Sequence, residues 1–374
     1  MKATAISCLM ERERDLRIDW GDGSNSDFHY FWLRDNCRCP ACLHPQTWER
    51  TLDTYAIDPD IQPLEMEIQA GALRLCWPDG HESIFEAAWL QDHAYSGACR
   101  KDATTRFWGL DILEDMPTIE AVDILETEEG LRRFLELQAE LGFVIVKNLT
   151  CEEGMVERLA ERVDFLRRTN YGVDFSVESK PDPNNVAYTA LELKAHTDLC
   201  DLEQPPGFQF LHCIVNEASG GESLLVDGFA VAEELRRRDP ASWRLLTETA
   251  LPFRFVDKDY DLRWKTPTIR LGPDGEYQEV RYHVALTDPL DVPYERMEAV
   301  YAALRAFTAV LRDPAFEIRF RLDAGDVMAF HNRRVLHGRA AFDPNSGRRK
   351  LKGCYVNSDE AWSKLRVLNG LNHI

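Results

Sequence analysis

The stretch KAHTDLCDLEQPPGFQFLHC, residues 194–213, sets His196 and Asp198 two positions apart in a run that reads as strand and turn. On a strand, residues i and i+2 point to the same face. The pair therefore offers two ligands to one metal ion. A histidine from a distant element would complete a 2-His-1-carboxylate set, which suits non-haem Fe(II) and leaves three positions open. His212, His283, His331 and His337 are the candidates. Leu199, the apolar residue that follows the pair, needs its own explanation.

A second stretch, DAGDVMAFHNRRVLHGRAAFDPNSGRRKLKGCYVN at 323–357, chooses among them. It places His337 at the entry of a strand, about 140 residues beyond Asp198, with Arg349 a dozen residues further on. An oxygenase that uses 2-oxoglutarate needs such an arginine, because a bidentate guanidinium matches the distal carboxylate of that co-substrate. His-x-Asp alone is weak evidence, since a solvated turn could carry the same residues. The three-part spacing is far more specific.

Around these stretches, strand-like runs dominate: GFQFLHCIV, GGESLLVDGF, PFRFV, TPTIRLG, EVRYHV, FEIRFRLDAGDVMAFHN and KLKGCYVN. Helical spacing marks EGLRRFLELQAELGF and GMVERLAERVDFLRR, with the buried strand FVIVKNL between them, and later AVAEELRRRD and RMEAVYAALRAFTAVLRD. Many strands and few helices predict a mainly β chain, an antiparallel sandwich or barrel with flanking helices. Residues 1–100 read as a small β-rich domain with AG and PDG turns. Residues 101–120 read as a connecting segment, and 121–374 as the larger domain. No internal repeat stands out.

Ten cysteines occur in 374 residues, and three of them lie in WLRDNCRCPACLHP as Cys37, Cys39 and Cys42. Three thiolates this close can fill three corners of a tetrahedral zinc site. Unliganded surface thiols would be a liability. His44, His81, His93 and Cys76 are candidates for the fourth corner, and such a closed site is structural, not catalytic. The seven scattered cysteines read mostly as buried inert thiols. No run approaches the length of a membrane span, and the first residues resemble neither a secretory signal nor a transit peptide. A cytoplasmic protein is expected. The formal charge of −20 argues against nucleic acid as a partner.

With these motifs in place, the chain resembles the γ-butyrobetaine hydroxylase and trimethyllysine hydroxylase branch of the Fe(II)/2-oxoglutarate dioxygenases. One relative of that branch acts on 2-(trimethylammonio)ethylphosphonate. The segments that carry the resemblance are FWLRDNCRCPACLHP, WPDGHESIFEAAWL, NNVAYTALELKAHTD, PPGFQFLHC, GGESLLVDGF, YAALRAF and VLHGR. It implies a double-stranded β-helix (jelly roll) catalytic domain with an N-terminal zinc module, in a homodimer. It implies zinc on Cys37, Cys39, Cys42 and His81, iron on His196, Asp198 and His337, and 2-oxoglutarate held by Arg349 near Leu211. The implied reaction is oxidative decarboxylation of 2-oxoglutarate to succinate and CO₂, with O₂ as second co-substrate, coupled to hydroxylation of an unactivated C–H bond.

Residues matching the family's aromatic cage for a trimethylammonium group are Tyr171, Phe175, Tyr188 and Tyr355, with Phe175 in place of a tryptophan. Cation–π attraction is the force such a cage uses. At the anionic end of the substrate Asn185 is kept. Leu199 replaces a tyrosine hydroxyl, and His283 stands about where an asparagine donor is expected, with Arg281 nearby. Losing a donor to a buried anion costs about 1.5–3 kcal/mol, enough to alter substrate choice. The expected substrate is therefore the phosphonate, hydroxylated at carbon 1, ahead of γ-butyrobetaine (to L-carnitine) and trimethyllysine. A non-catalytic interaction protein on the same fold would have no need of His196, Asp198, His337 and Arg349 together. A halogenase would need a small residue in place of Asp198.

Overall fold

The computed structural model describes residues 5–96, 105–178 and 189–370. They form two compact units, one built from the residues up to 96 and the other from those after 104.

The first unit repeats one plan twice. Strands Ile6–Glu11, Asp15–Trp20 and Asn25–His29 form an antiparallel sheet that leads into helix Tyr30–Asp35. Strands Glu65–Gln69, Ala72–Cys76 and Glu82–Phe85 form another that leads into helix Ala87–Asp92. The sequences WGDGSNSDFHYFWLRD (20–35) and WPDGHESIFEAAWLQD (77–92) share Trp, Asp, Gly, Ser, Phe, Trp, Leu and Asp at the same spacing. Several of the shared residues have a clear physical task. Trp20 and Trp77 are buried and donate through Nε1 to Ser26 Oγ (3.0 Å) and Ser83 Oγ (2.9 Å). Gly23 and Gly80 turn the hairpins at φ of 85° and 77°, a region that costs a glycine little. Phe28 and Phe85 enter the common core. The expectation of no repeat is thus corrected. The two segments lie well apart in the chain and their shared positions are interleaved with as many unlike ones, so hydropathy patterning alone does not display them.

In the second unit, a six-stranded sheet runs in the order Thr118–Glu120, Phe143–Lys147, Val327–His331, Phe208–Asn216, Arg349–Val356, Asp174–Val177. A four-stranded sheet runs Leu193–His196, Val335–Arg339, Ser223–Asp227, Glu317–Phe320. Side chains from both sheets meet in one core that includes Phe210, Leu225, Ile318, Phe330 and Val335. The result is the double-stranded β-helix. Helix Glu128–Leu141 covers the larger sheet, capped by the Thr127 hydroxyl (2.9 Å from the Gly130 N–H) and ended by Gly142 at φ 78°. Helices Gly228–Arg238, Pro240–Glu248 and Tyr294–Leu311 pack into a second core around Val226, Val280 and Leu336. The helix expected over 154–168 covers only Met155–Glu161. No described helix is long and apolar enough to cross a membrane.

Candidate active site

The centre lies where strand Leu193–His196 pairs with strand Val335–Arg339. His196 and His337 are direct cross-strand partners, close enough for their rings to sit 4.4 Å apart. The strand ends at His196, which corrects the expectation that Asp198 shares its strand face. Asp198 lies in the following turn, and Leu199 adopts the left-handed conformation at φ 57°. That conformation is costly for a residue with a Cβ. The turn nonetheless brings Asp198 Oδ1 to 3.2 Å from His196 Nε2 and 3.8 Å from His337 Nε2. One ligand atom from each of the three lies within 4.8 Å of the others.

The protonation states suit cation binding. Burial would raise the Asp198 carboxyl, but His337, His196 and the Tyr355 hydroxyl (2.7 Å) together hold it well below the usual carboxylate range. Burial, and then His196, lowers His337 to about 3, so its imidazole is neutral at neutral pH. His196 Nδ1 lies 2.8 Å from the Lys194 carbonyl. That carbonyl can only accept, so Nδ1 carries a proton and Nε2 is the nitrogen left to face Asp198 and a metal ion.

These residues open onto a cavity of about 1360 Å³. Arg349, the first residue of strand Arg349–Val356, stands in its wall with Leu211. Its Nε has no hydrogen-bond partner and Nη2 reaches only the Gly221 carbonyl at 3.5 Å. A half-buried guanidinium with open donors fits a carboxylate ligand. A Cβ on Gly221 would lie 3.1 Å from Arg349 Nε, so glycine there leaves the guanidinium its room. Arg339 also lines the cavity, bonded to the carbonyls of Thr189 (2.8 Å) and Leu191 (2.6 Å).

Tyr171, Phe175 and Tyr355 all line the cavity, as do Leu199 and His283. Phe175 and Tyr355 are in contact at 5.1 Å between centroids, and Gly353 leaves room for the Phe175 ring, which would lie 2.6 Å from a Cβ there. Asn185 and Tyr188 lie outside the described residues. His283 sits 4.4 Å from the His196 ring, its Nδ1 without a hydrogen-bond partner. Burial, then His196, lowers it to about 3, so it too is neutral. Arg281 does not join it, which corrects the expectation of a nearby cation for the substrate anion. Its guanidinium is buried against the carbonyls of Cys200 (3.3 Å), Leu202 (2.5 Å) and Glu203 (2.8 Å) and the Glu279 carboxylate (3.0 Å).

Phe255 and Gln209, like Arg339, are among the cavity residues that sequence reasoning missed. Phe255 meets Tyr171 edge-on at 6.0 Å, and alternation in PFRFV could have drawn attention to it. Gln209 shares a strand face with Leu211 and leaves its buried Oε1 without a partner. The remaining candidate histidines are elsewhere. His212 neighbours Leu211 on the strand and so faces away from the cavity. His331 is packed between Phe208 (5.0 Å) and Trp362 (5.6 Å), 3.3 Å from Ser358 Oγ. Burial, reinforced by Arg333 and Arg334, lowers His331 to about 3. The unfolded chain binds that proton below about pH 6.5 while the folded chain does not, so stability falls on acidification. His331→Phe should remove up to about 1.4 kcal/mol of this loss per pH unit between pH 6 and 4, read from urea midpoints.

In the first unit, Cys37, Cys39, Cys42 and His81 converge. His81 Nε2 is 3.1 Å from the Cys37 sulfur and 3.4 Å from those of Cys39 and Cys42. Tetrahedral zinc with Zn–S of about 2.3 Å and Zn–N of about 2.0 Å requires edges of roughly 3.5 Å. Burial, then the charge of Cys37, pushes the Cys42 thiol up to about 12, so three thiolates here call for a bound cation. The cysteines follow the first helix of the repeat, and His81 occupies the hairpin turn of the second, where the first has Ser24. Asp79 holds that turn by accepting from the His81 N–H (3.0 Å) and the Arg34 guanidinium (2.8 Å). His44 Nδ1 is engaged with the N–H groups of Gln46 and Thr47, and His93 with Trp89. Of the scattered cysteines, Cys200, Cys213 and Cys354 are buried, Cys76 is half-buried, and Cys8 and Cys151 are exposed, while Cys99 lies outside the described residues.

Two histidines and one carboxylate inside a double-stranded β-helix define the build of a non-haem iron oxygenase. The chain belongs to the taurine catabolism dioxygenase TauD, TfdA family, whose sequence model matches residues 115–355, and it is a dioxygenase. Residues 8–106 match the γ-butyrobetaine hydroxylase-like N-terminal family. The chain is 40% identical to the γ-butyrobetaine dioxygenase of Pseudomonas sp. (strain AK-1), over 94% of this chain and 93% of that one. It is 34% identical to the mitochondrial trimethyllysine dioxygenase of Bos taurus, over 97% and 88%. Its fold is similar to that of the non-haem iron oxygenase OrfP, solved with Fe and α-ketoglutaric acid. The TM-score there is 0.50 at 15% identity, covering 66% of this chain and 95% of OrfP.

Proposed function

We propose that the protein is an Fe(II)/2-oxoglutarate-dependent hydroxylase of a small trimethylammonium zwitterion, with zinc as a structural ion in its first unit. The observation that carries this is the His196–Asp198–His337 set opening onto a cavity that holds both an arginine with open donors and several aromatic rings. The chemistry supplied by bound iron(II) is activation of O₂, one oxygen atom passing to succinate as 2-oxoglutarate loses CO₂ and the other into a substrate C–H bond.

The residues of the chain have separable parts in this. His196, Asp198 and His337 hold the metal. Arg349 receives the distal carboxylate of 2-oxoglutarate, with Leu211 against its methylenes. Tyr171, Phe175 and Tyr355, together with Tyr188, receive the quaternary ammonium, and Phe255 adds an aromatic edge to that wall. The apolar lining limits water at the reacting carbon, so that binding energy is spent on orientation. Arg349→Ala should raise the KM for 2-oxoglutarate by about 10- to 100-fold, the range of a lost charge-assisted pair. Steady-state kinetics at saturating substrate would read it.

For the substrate itself, we favour 2-(trimethylammonio)ethylphosphonate. Counted from nitrogen, the carbon to be hydroxylated is the second in both the phosphonate and γ-butyrobetaine, so the aromatic and metal ends do not separate them. The anions differ in position: phosphorus is bonded directly to the reacting carbon, whereas the carboxylate is one methylene further away. His283 stands against a metal ligand, within reach of an anion on the reacting carbon, and Leu199 offers no hydroxyl further out. γ-Butyrobetaine is the second reading, supported by the 40% identity to a dioxygenase of that name. A panel of trimethylammonium phosphonates and carboxylates, assayed with wild type and Leu199→Tyr, tests the choice. Phosphonate turnover at least tenfold more efficient than carboxylate, with the ratio lowered by Leu199→Tyr, is the expected result. Efficient turnover of γ-butyrobetaine by the wild type would give the second reading.

A further inference from the structure

Because the strand stops at His196, strand geometry does not aim Asp198. The aim is set by the turn over residues 198–206, which includes the left-handed Leu199. Arg281 and Arg333 hold carbonyls further along that turn, at 200, 202, 203 and 205, but the backbone of Asp198 itself hangs on one side chain. Asn332, 1% exposed, accepts from the Asp198 N–H through Oδ1 at 2.7 Å and donates through Nδ2 to the Asp198 carbonyl at 3.1 Å and the Pro206 carbonyl at 3.2 Å. Both backbone groups of the carboxylate residue are therefore held by one amide. All the hydrogen-bonding capacity this geometry can use is used, and neither an apolar nor a singly functional side chain could reproduce it.

Asn332 lies in the connection between strands Val327–His331 and Val335–Arg339, and His337 is five residues further on. His196 is tied to the same strand by its direct pairing with His337. We propose that Asn332 is a positioning residue for the metal centre, registering Asp198 to the hairpin that carries His337 and pairs with His196. All three ligands are then referenced to one rigid element. This rests on the reading of His196, Asp198 and His337 as metal ligands. Groups supporting a ligand typically contribute 10- to 100-fold to metal affinity.

The test reads metal binding directly, without substrate. Zinc-loaded, iron-free protein is titrated anaerobically with Co(II), following the cobalt absorption, for wild type, Asn332→Ala, Asn332→Asp and the control Gln138→Ala. Gln138 is a comparably buried amide that donates to the Ala329 carbonyl at 2.9 Å without touching the ligand turn. Asn332→Ala is expected to weaken cobalt binding at least tenfold and to alter the ligand-field spectrum. Asn332→Asp, which can still accept from the Asp198 N–H, should fall between it and wild type. Gln138→Ala should match wild type in affinity even where it melts earlier. Cobalt affinity of Asn332→Ala within twofold of wild type, accompanied only by a lower melting temperature, would overturn the proposal. Where the alanine variant does not fold, affinity of Asn332→Asp equal to wild type does the same. If wild type itself binds no Co(II) at a site that Asp198→Ala removes, the ligand reading fails instead, so the two failures are distinct.

Discussion

Asp198→Ala should lower hydroxylation by at least about 10³-fold, equivalent to about 4 kcal/mol of lost transition-state stabilisation, and should remove iron while the protein stays folded. The carboxylate is the only anionic member of the set, and two neutral imidazoles without it make a weak site for a hard divalent ion. The fold should tolerate the change, because the alanine removes a half-buried charge along with its contacts. The Tyr355 hydroxyl then loses its acceptor at 2.7 Å, a cost of about 1 kcal/mol. Iron per chain by metal analysis, and succinate formation, read the two halves of this expectation. An Asp198→Ala protein that keeps its iron and a tenth or more of its activity would remove Asp198 from the metal.

The second large effect belongs to the zinc set. Cys42→Ser should abolish zinc binding and lower the melting temperature of the first unit by more than about 10 °C. Structural zinc binds with about 10–16 kcal/mol in small peptides near neutral pH, and that binding is folding free energy. The first unit also has a core of its own around Trp20, Phe28, Leu75, Trp77 and Phe85, so it should be weakened, not abolished as a small zinc finger would be. A loss of about 3 kcal/mol already corresponds to 12–24 °C for a domain of this size. Calorimetry of wild type, Cys42→Ser and chelator-treated protein checks it. A melting temperature unchanged in all three would leave the cluster without a structural ion.

The two clusters of potential metal ligands were legible in the sequence because they use scarce residues at characteristic spacings: Cys-x-Cys-x2-Cys on one side, His-x-Asp and a remote His-Gly-Arg on the other. What escaped was the means of positioning. The His-x-Asp pair reads as one strand face, yet the strand ends between the two residues, and the turn depends on Asn332, 134 residues away. Such a contact leaves no local pattern. Arg281 reads as a cation for the substrate, but its guanidinium is taken up by backbone carbonyls at 200, 202 and 203 and by the Glu279 carboxylate. Phe255 lies on a two-stranded hairpin whose approach to Tyr171 is a tertiary fact. The repeat of the first unit is present in the sequence as spaced identities, and the equivalent bonds of Trp20 to Ser26 and Trp77 to Ser83 give those identities their structural meaning.

The most direct measurement is the coupling of 2-oxoglutarate to a trimethylammonium substrate. Anaerobically reconstituted Fe(II) protein, given 2-oxoglutarate and O₂, is followed for succinate and hydroxylated product with the phosphonate, γ-butyrobetaine and the neutral tert-butyl isostere of each. One succinate per hydroxylated product with a cationic substrate, and at least tenfold less product from its isostere, is the predicted result. Equal turnover of the isostere, or succinate without product from every cation offered, would contradict it.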